Sequence, residues 1–324
     1  MDEVHVPLWE RERHRWRAGA AATARLAIAE ARLLTRAVPS DCDALVVGYP
    51  GHFDLPAARR AARGRPVVFN PLVSLADTFV ADRRRFRPRS LAAHALELVD
   101  RRAFASADLV VADTRAHADF FASLTETPVE VCFVGAEDRI FRPGWLPSDP
   151  VTVLFVGKLI PLHGIEVVLE AARLAPELRF RVVGSGQLEP LLAHRPPNVE
   201  HVAWVEYERL PAELHHAACA LGIFGTTAKA QRVIPNKAFQ ALACETPLVT
   251  ADTAAAQELL VDGESALLVP AGDGRALADA LRRLAADAEL RQRLSRGGRA
   301  AYDARASEAV LGVRWREFLE RLVH

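Results

Sequence analysis

The feature that most constrains the fold of this chain is an alternation of short apolar runs, rich in β-branched residues, with longer stretches rich in Ala and Leu. The ten runs are ALVVG (44–48), PVVFN (66–70), DLVVAD (108–113), VEVCFVG (129–135), VTVLFVG (151–157), FRVVGSG (180–186), VEHVAW (199–204), CALGIFG (219–225), PLVTAD (247–252) and ALLVP (266–270). Such an alternation is typical of parallel sheets that helices cover on both faces. The pattern therefore predicts an α/β protein.

The length and one proline-rich stretch predict two domains. A chain of 324 residues is long enough for two cores. The stretch EDRIFRPGWLPSDP (137–150) places three prolines and a glycine between two apolar runs, which is typical of a domain boundary. We expect domains over 1–145 and 151–305, a helical stretch over 275–294, and a last helix in 306–324 that packs Trp315, Phe318 and Leu322 and returns to the first domain.

Charge and cysteine content exclude several classes of function. The 41 basic and 41 acidic residues balance, so nothing in the net charge indicates a nucleic-acid partner. No segment has the length of a membrane span, and the start lacks the apolar core of a secretion signal, so we expect a cytoplasmic protein. The cysteines lack the paired spacing of a zinc site or a disulfide framework and are predicted to be reduced core residues. They are Cys42, Cys132, Cys219 and Cys244.

The stretch AQRVIPNKAFQALACETPLVT (230–250) predicts a helix that begins near Asn236, between two buried strands. Pro235 pre-sets a helical backbone and Asn236 can cap the first turn. The amides of that turn and Lys237 then face a position where an anion could bind. The alternative is an ordinary capped helix that packs Phe239 and Leu242, with Lys237 in solvent.

Four stretches of the second half resemble, in order and spacing, the donor domain of the family 4 (group 1) retaining glycosyltransferases. They are VLFVGKLIPLHGIEVVLEAARLA (153–175), VVGSGQLEPLL (182–192), VEHVAWVEYERLPAELHHAACALGIFG (199–225) and PNKAFQALACETPLVTADTAAAQELLVDGESALLVPAGD (235–273). The stretches DLVVADTRAHADFF (108–121) and VEVCFVGAEDRIFRP (129–143) resemble the last elements of that family's first domain.

This resemblance implies the GT-B fold, with two Rossmann-like domains that face a central cleft. It implies a hexosyltransferase of carbohydrate biosynthesis that moves a sugar from a nucleotide-diphosphate sugar to an acceptor hydroxyl with retention of the anomeric configuration. The nucleotide sugar is a co-substrate, and no cofactor or metal is expected. The acceptor is a glycan, a lipid or a small molecule.

The resemblance also implies which residues hold the donor. Lys158 and His163 fall where the family has basic residues after the first strand of the donor domain. With Asn236 and Lys237 they are expected to bind the diphosphate, and Lys158 would also act in catalysis by stabilising charge on the leaving group. A neutral imidazole at His163 can still donate a hydrogen bond. The alternative for His163 is a surface turn residue before Gly164.

The family's glutamate pair falls on Arg232 and Gln240. Gln240 can hydrogen-bond the ribose hydroxyls, because its amide both donates and accepts. Arg232 cannot accept a hydrogen bond, so we expect a different sugar contact there, or a basic cluster with Lys229 and Lys237 that faces phosphate or an acidic sugar. Thr227 is expected on the ribose and sugar side. The base is expected beside Gly184, Val202 and Trp204.

Polar residues after two strands of the first half are candidates for the acceptor side. His52 lies in VVGYPGHFD (46–54) and is also a candidate for catalysis, while Asp77 and Asp82 lie in NPLVSLADTFVADRR (70–84). Each can instead be a simple loop or cap residue. The basic segments 11–17 and 83–89 indicate either an anionic acceptor, an anionic membrane surface at the inner face, or ordinary solvated faces.

The start of the chain resembles the family at its second strand. The run VHVPLW (4–9) and the basic stretch after it match that strand and its helix, so a first strand and a Gly-rich loop are expected to be missing and the sheet to be less stable for it. This departure and the changed glutamate pair leave two alternatives to a transferase. They are a catalytically silent subunit that binds nucleotide sugars and a GT-B sugar-nucleotide epimerase.

Overall fold

The structure is a computed structural model that describes residues 3–4, 20–35, 41–146 and 152–324. The chain divides into two compact units. The first unit contains residues 1–113, 117–132 and 315–324, and the second contains 114–116 and 133–314. Each unit is described by itself below, within the described ranges.

A parallel sheet of four strands forms the centre of the first unit, in the order β1-β2-β3-β4. The strands are β1 (Leu45–Val47), β2 (Val67–Phe69), β3 (Leu109–Ala112) and β4 (Val129–Val131). The helices are α1 (Ala20–Leu33), α2 (Leu55–Ala62), a π-helix (Asp77–Asp82), α3 (Leu91–Ala105) and α4 (Arg115–Ala122). The core contains the buried rings of Phe69, Phe104 and Phe121, with centroids 5.7 Å and 4.8 Å apart along that series.

The second unit contains a parallel sheet of six strands in the order β10-β9-β8-β5-β6-β7. The strands are β5 (Thr152–Val156), β6 (Arg179–Val183), β7 (Val199–Val202), β8 (Cys219–Leu221), β9 (Leu248–Ala251) and β10 (Leu267–Val269). The helices are α5 (Ile165–Leu174), α6 (Leu210–His216), α7 (Asn236–Ala243), α8 (Ala254–Gln257), α9 (Gly274–Ala286), α10 (Ala288–Arg305) and α11 (Glu308–Val323), the last of which extends into the first unit. Short 3₁₀ turns cover Pro161–His163, Glu189–His194 and Tyr207–Arg209.

Both faces of this sheet are covered by helices. Along β5, Val153 and Phe155 belong to one buried cluster, which includes α5 and α9, whereas Leu154 belongs to another, which includes α7. Successive side chains of a strand point to opposite faces, so a strand buried on both sides is apolar throughout. Each of the ten predicted runs contains a strand, and the predicted α/β class is confirmed.

Two segments differ from the expectation in detail. The helical stretch 275–294 is two helices, because Asp287 leaves the helical conformation and its side chain accepts a hydrogen bond from the Leu290 amide at 2.8 Å. Residues 133–146 group with the second unit, where Phe133 packs on Phe239 with centroids 6.0 Å apart. Residues 315–324 are not among these differences, since they group with the first unit, to which the last helix was expected to return, and Arg321 pairs there with Glu130 at 2.7 Å.

The cysteines follow the prediction in part. Cys219 and Cys244 are buried in the second unit, and burial raises the pKa of each thiol to about 12. Cys132 is also buried, whereas Cys42 is half-buried. Within the described ranges no helix is both long enough and apolar enough to cross a membrane. The predicted strand at 4–9 and the basic segment 11–17 lie outside the described residues, apart from Val4.

Candidate active site

The candidate donor residues lie at the edge of the second sheet where its parallel strands end. Gly157 directly follows β5, Gly184 directly follows β6, and α7 begins after the loop that leaves β8. Because the strands are parallel, all of these segments come out at the same edge, which is where open α/β sheets bind ligands.

Two glycines allow the chain to pack closely at this edge. Gly157 and Gly184 have φ angles of +146° and +144°, in the region that favours glycine. A Cβ added to Gly184 would lie 1.9 Å from the carbonyl oxygen of Gly157. The ends of β5 and β6 therefore approach so closely that no side chain fits between them.

His163 and Lys237 meet at Gly157. A Cβ added to Gly157 would lie 3.1 Å from the His163 ring and 3.6 Å from the Lys237 Nζ atom. The His163 Nδ1 atom lies 2.6 Å from the Lys158 carbonyl oxygen, an arrangement in which Nδ1 carries the proton and donates it. The structure thus brings the loop after β5 and the first turn of α7 together, as the sequence predicted.

Lys237 is the most unusual residue of this group. Only 8% of its surface is exposed, and its ammonium has no hydrogen-bond partner among the described residues. Its Nζ atom lies 3.6 Å from the centroid of the Phe155 ring, a cation–π contact. Burial lowers the pKa of Lys237 well below its ordinary value. The alternative in which this side chain extends into solvent is therefore wrong.

Lys158 and Asn236, unlike Lys237, are exposed to solvent. Asn236 is the first helical residue of α7 and does not cap it, which corrects the expectation. The N-cap is Pro235, and no side-chain hydrogen bond caps the first turn. Since Pro235 has no side-chain acceptor, no capping side chain occupies the N-terminus of α7.

Of the residues expected to bind the ribose and the sugar, one lies in α7 and two lie in the loop before it. Gln240 lies one turn after Asn236 and hydrogen-bonds the Tyr207 hydroxyl. Arg232 is half-buried in the loop between β8 and α7, and its amide donates to the Lys229 carbonyl at 3.0 Å. Thr227, in the same loop, accepts a hydrogen bond from the Ala230 amide at 3.3 Å. These roles stay predictions.

The expected base residues lie around the ends of β6 and β7. The Gly184 amide donates to the Val202 carbonyl at 2.9 Å, and Trp204, two residues beyond β7, is 59% exposed. His201 was missed by sequence reasoning. Its Nε2 atom lies 2.8 Å from the Gly184 carbonyl oxygen and holds the backbone where the base is expected.

The candidate acceptor residues are buried in the first unit rather than displayed on open loops. The His52 side chain is fully buried, with Nδ1 facing the Pro50 carbonyl and Nε2 lying 3.2 Å from Asp100. Asp100 also accepts from the Ser74 hydroxyl at 2.7 Å, and Ser74 in turn accepts from the Asp77 amide at 3.0 Å.

Asp82, at the other end of the π-helix, is fully buried and lies 3.4 Å from Arg83. A direct contact of these side chains with an acceptor would therefore need a rearrangement of the first unit. Asp100, which sequence reasoning missed, joins the loop after β1 to the loop after β2.

A cavity of about 530 Å³ lies at the opposite edge of the second sheet, where its strands begin. Thr152, Arg179 and Val199, the first residues of three strands, line it. Its Arg181 is paired with Glu213 at 2.6 Å and also with Glu200, so its central cation is already compensated. Within the described ranges no cluster of three or more His, Cys, Asp or Glu side chains is placed to hold a metal ion.

A compositional signal could have identified the donor edge. Of the 41 basic residues, only Lys158, Lys229 and Lys237 are lysines. All three belong to segments that leave β5 or β8 at this edge. Lysine is a compact cation on a flexible stem, whereas arginine is a planar fork, so the two are not interchangeable. The three lysines of this arginine-rich chain therefore mark this edge as a candidate site for an anion.

Comparisons with known proteins find relatives both of the sequence and of the fold. Residues 150–287 match the family model described as Glycosyl transferases group 1. The chain is 32% identical over 174 residues to phosphatidyl-myo-inositol mannosyltransferase of Mycobacterium leprae (strain TN), covering 51% of this chain and 43% of that protein. It is 29% identical over 245 residues to D-inositol 3-phosphate glycosyltransferase of Nocardioides sp. (strain ATCC BAA-499 / JS614), covering 59% and 49%.

Solved structures share the fold over most of the chain. Sucrose-phosphate synthase from Thermosynechococcus elongatus has a TM-score of 0.76 at 18% identity, covering 93% of this chain and 78% of that one. Anabaena HepE, solved in complex with UDP, has a TM-score of 0.68 at 15% identity, covering 92% and 82%. The chain thus has the GT-B fold. It spans about half the length of the curated relatives that it matches. Residues 150–287 therefore resemble the glycosyl transferases of group 1, and the chain shares its fold with the solved structures named above.

Proposed function

We propose that this chain is a hexosyltransferase that moves a sugar from a nucleotide-diphosphate sugar to an acceptor hydroxyl, with retention of the anomeric configuration. It uses no cofactor beyond this co-substrate. The acceptor is a glycan, a lipid or a small molecule. The protein works in the cytoplasm, in part at the inner face of the membrane.

The observation that carries this proposal is the buried ammonium of Lys237. A cation that is 92% withdrawn from solvent, with no hydrogen-bond acceptor among the described residues, is costly to the protein alone. A diphosphate at Gly157 would accept from this ammonium and also from the first amides of α7. The glycine leaves room for it, because a Cβ at this position would contact both His163 and Lys237.

The same residues would stabilise the nucleotide diphosphate as it leaves the sugar. When the glycosidic bond to the donor breaks, negative charge grows on the β-phosphate. Lys237, the exposed Lys158 and the N-terminus of α7 stabilise that charge, and His163 can donate a hydrogen bond to it. A front-face displacement of this kind needs no protein nucleophile. It needs orientation of the acceptor hydroxyl against the anomeric carbon.

Relatives support the donor class. The curated relatives are named as a mannosyltransferase and as glycosyltransferases, and Anabaena HepE was solved with UDP and with UDP-glucose.

A thermal-shift screen against UDP, GDP and ADP tests donor binding, followed by assays of transfer and hydrolysis with the matching sugar nucleotides. We expect one diphosphate at 100 times its Kd to stabilise the protein by about 2.7 kcal/mol. At the same concentration, Lys237→Met should lower this stabilisation to about 0.4–1.4 kcal/mol, whereas Arg296→Met, at an exposed position of α10, should leave it unchanged.

The outcomes separate the alternatives. If none of the three diphosphates stabilises the protein, the proposed donor site is wrong. If one binds but no sugar is transferred or hydrolysed, the chain is a silent binding subunit, which the replacement of the family's glutamates by Arg232 and Gln240 would then explain. Release of an epimerised sugar would identify an epimerase.

A further inference from the structure

The exposed face of α3 is apolar where a surface helix is normally polar. Leu91, Ala95, Leu98 and Arg102 recur at intervals of three or four residues and so lie in one stripe. Leu91 is 91% exposed and Leu98 is 48% exposed. Ala93 and Asp100, on the opposite side of the same helix, are buried. The stripe therefore faces directly away from the core of the first unit.

Arginines surround this stripe. The segment 83–106 contains seven arginines against two acidic residues, Glu97 and Asp100. Asp100 is buried and engaged by Ser74 and by two backbone amides, so Glu97 is the single exposed acid of the segment. The exposed arginines are Arg84, Arg85, Arg87 and Arg89, in the loop before α3, and Arg101 and Arg102, in its second half.

We propose that this basic and apolar surface, formed by residues 84–91 with Ala95, Leu98 and Arg102, docks on a bilayer of anionic lipid. Exposed leucine flanked by arginine is the composition of interfacial segments, in which apolar side chains enter the boundary between head groups and acyl chains. The arginines bind the negative surface. This inference names the surface for the membrane association in the proposed function. It rests on that part of the proposal and not on sugar transfer.

A soluble polyanion explains the surface less well. Arginines alone would suit a nucleic acid or an acidic glycan, because such partners are recognised through their charges. Neither partner requires Leu91 to extend almost completely into solvent from the first turn of α3. The apolar stripe and the arginines around it together favour a bilayer. Separate variants of the stripe and of the arginines test the contribution of each to binding.

Co-sedimentation of the full chain with vesicles tests the proposal. Vesicles of phosphatidylcholine alone are compared with vesicles that contain 30% phosphatidylglycerol. Both are measured in about 0.1 M and in about 0.5 M salt, because the Debye screening length is much shorter at the higher concentration. We expect binding to the anionic vesicles, weakened at high salt. Arg84→Gln, Arg87→Gln and Arg89→Gln together should weaken it about 100-fold, since each arginine contributes about fivefold. Leu91→Glu should weaken it about tenfold.

Matched controls lie in the second unit. Arg179, Arg283 and Arg296 are exposed arginines of that unit, and their triple replacement by Gln removes the same charge. Val261, which is 54% exposed, is the control for Leu91, as Val261→Glu. Both controls should bind vesicles like the wild type. Thermal-shift titration with the nucleotide diphosphates should give the same affinity for wild type and all variants.

Equal binding to both kinds of vesicle, or no binding to either, would overturn the proposal. So would arginine variants that bind as tightly as their controls. A Leu91→Glu variant that binds like the wild type, with single-stranded DNA competing for the surface, would identify a polyanion site instead. Because nucleotide affinity is measured on the same samples, failure of membrane docking is distinguishable from failure of the donor site.

Discussion

The ammonium of Lys237 lies 3.6 Å from the centroid of the Phe155 ring. The ring face offsets part of the hydration that the ammonium loses on burial, but it satisfies no hydrogen-bond donor. The protein therefore holds three N–H donors in a buried position at the first turn of α7. Such pre-organisation is costly to the protein alone and favours an anion when one arrives.

Replacing Lys237 by Met should separate these two effects. The nucleotide-free variant should be more stable than the wild type by about 1–3 kcal/mol, because a buried polar group without an acceptor is removed. Its affinity for the preferred nucleotide diphosphate should fall about 10- to 100-fold, in line with about 1.5–3 kcal/mol for a hydrogen bond to a charged group. Urea denaturation and calorimetric titration measure the two quantities. A variant that is less stable and binds equally well would contradict this account.

The stability of the nucleotide-free protein should depend on pH through Lys237. Its pKa is lowered in the folded state, so between that value and the unfolded value near 10.5 the unfolded chain binds one more proton. Stability from this residue is therefore present above pH 10.5 and is lost as the pH falls toward the lowered pKa. The difference in stability between wild type and Lys237→Met should be largest at low pH and shrink as the pH rises. A difference that does not change with pH would argue against a lowered pKa.

Affinity for the diphosphate should have the opposite dependence. The anion binds the protonated ammonium, so affinity should fall as the pH rises through the pKa of Lys237, with proton uptake on binding. Calorimetry in two buffers of different ionisation enthalpy measures that uptake. In the Lys237→Met variant, the part of the uptake that this residue contributes should be absent.

Gly184→Ala should destabilise the second unit. The new Cβ would lie 1.9 Å from the Gly157 carbonyl, and the φ angle of +144° is itself unfavourable for alanine. Overpacking and backbone strain together predict a loss of about 2–5 kcal/mol. Gly312→Ala, within α11 and with nothing within 4 Å of its added Cβ, is the control and should stabilise by about 0.5–1 kcal/mol. Equal melting temperatures for the two variants would refute the close approach of β5 and β6.

The sequence predicted the strands and the start of α7 because both depend on local pattern. Ten apolar runs are ten strands, and Lys237 lies at a helix N-terminus after a strand, as the order of elements required. The position of its ammonium over Phe155 could not be predicted. That contact joins residues 82 positions apart in the sequence and depends on how β5 and α7 pack.

The acceptor-side residues show that local sequence does not determine whether a polar loop residue is exposed or buried. His52, Asp77 and Asp82 follow strands and are polar, which is typical of residues in a binding loop. Whether such residues face solvent or the interior depends on a distant partner. Here Asp100, on α3, contacts His52 and Ser74 in the interior of the first unit. Asp82 is buried at the end of a π-helix that no periodicity in the sequence indicated.

Asp100 should therefore be important for the stability of the first unit. It accepts from the Ser74 hydroxyl and from the amides of Leu75 and Ala76 at 2.7–2.9 Å, and it faces His52. Asp100→Ala leaves several buried donors without an acceptor, each at about 1–3 kcal/mol, so we expect a total loss of at least about 3 kcal/mol. Glu97→Ala, exposed on the same helix, should change stability by less than about 0.5 kcal/mol. Chemical denaturation followed by circular dichroism compares them, and a small effect at Asp100 would show that the network is dispensable.

The most direct test of the central claim, that Lys237 is a buried cation held for a diphosphate, is a pH titration of the lysine side chains by NMR. The chain contains three lysines, so selective ¹³Cε labelling yields three side-chain signals, and Lys237→Met assigns one of them. We predict that the Lys237 signal titrates well below 10.5 in the nucleotide-free protein, and that the preferred nucleotide diphosphate raises its pKa. A Lys237 signal that titrates at or above 10.5 and does not respond to UDP, GDP or ADP would contradict the account.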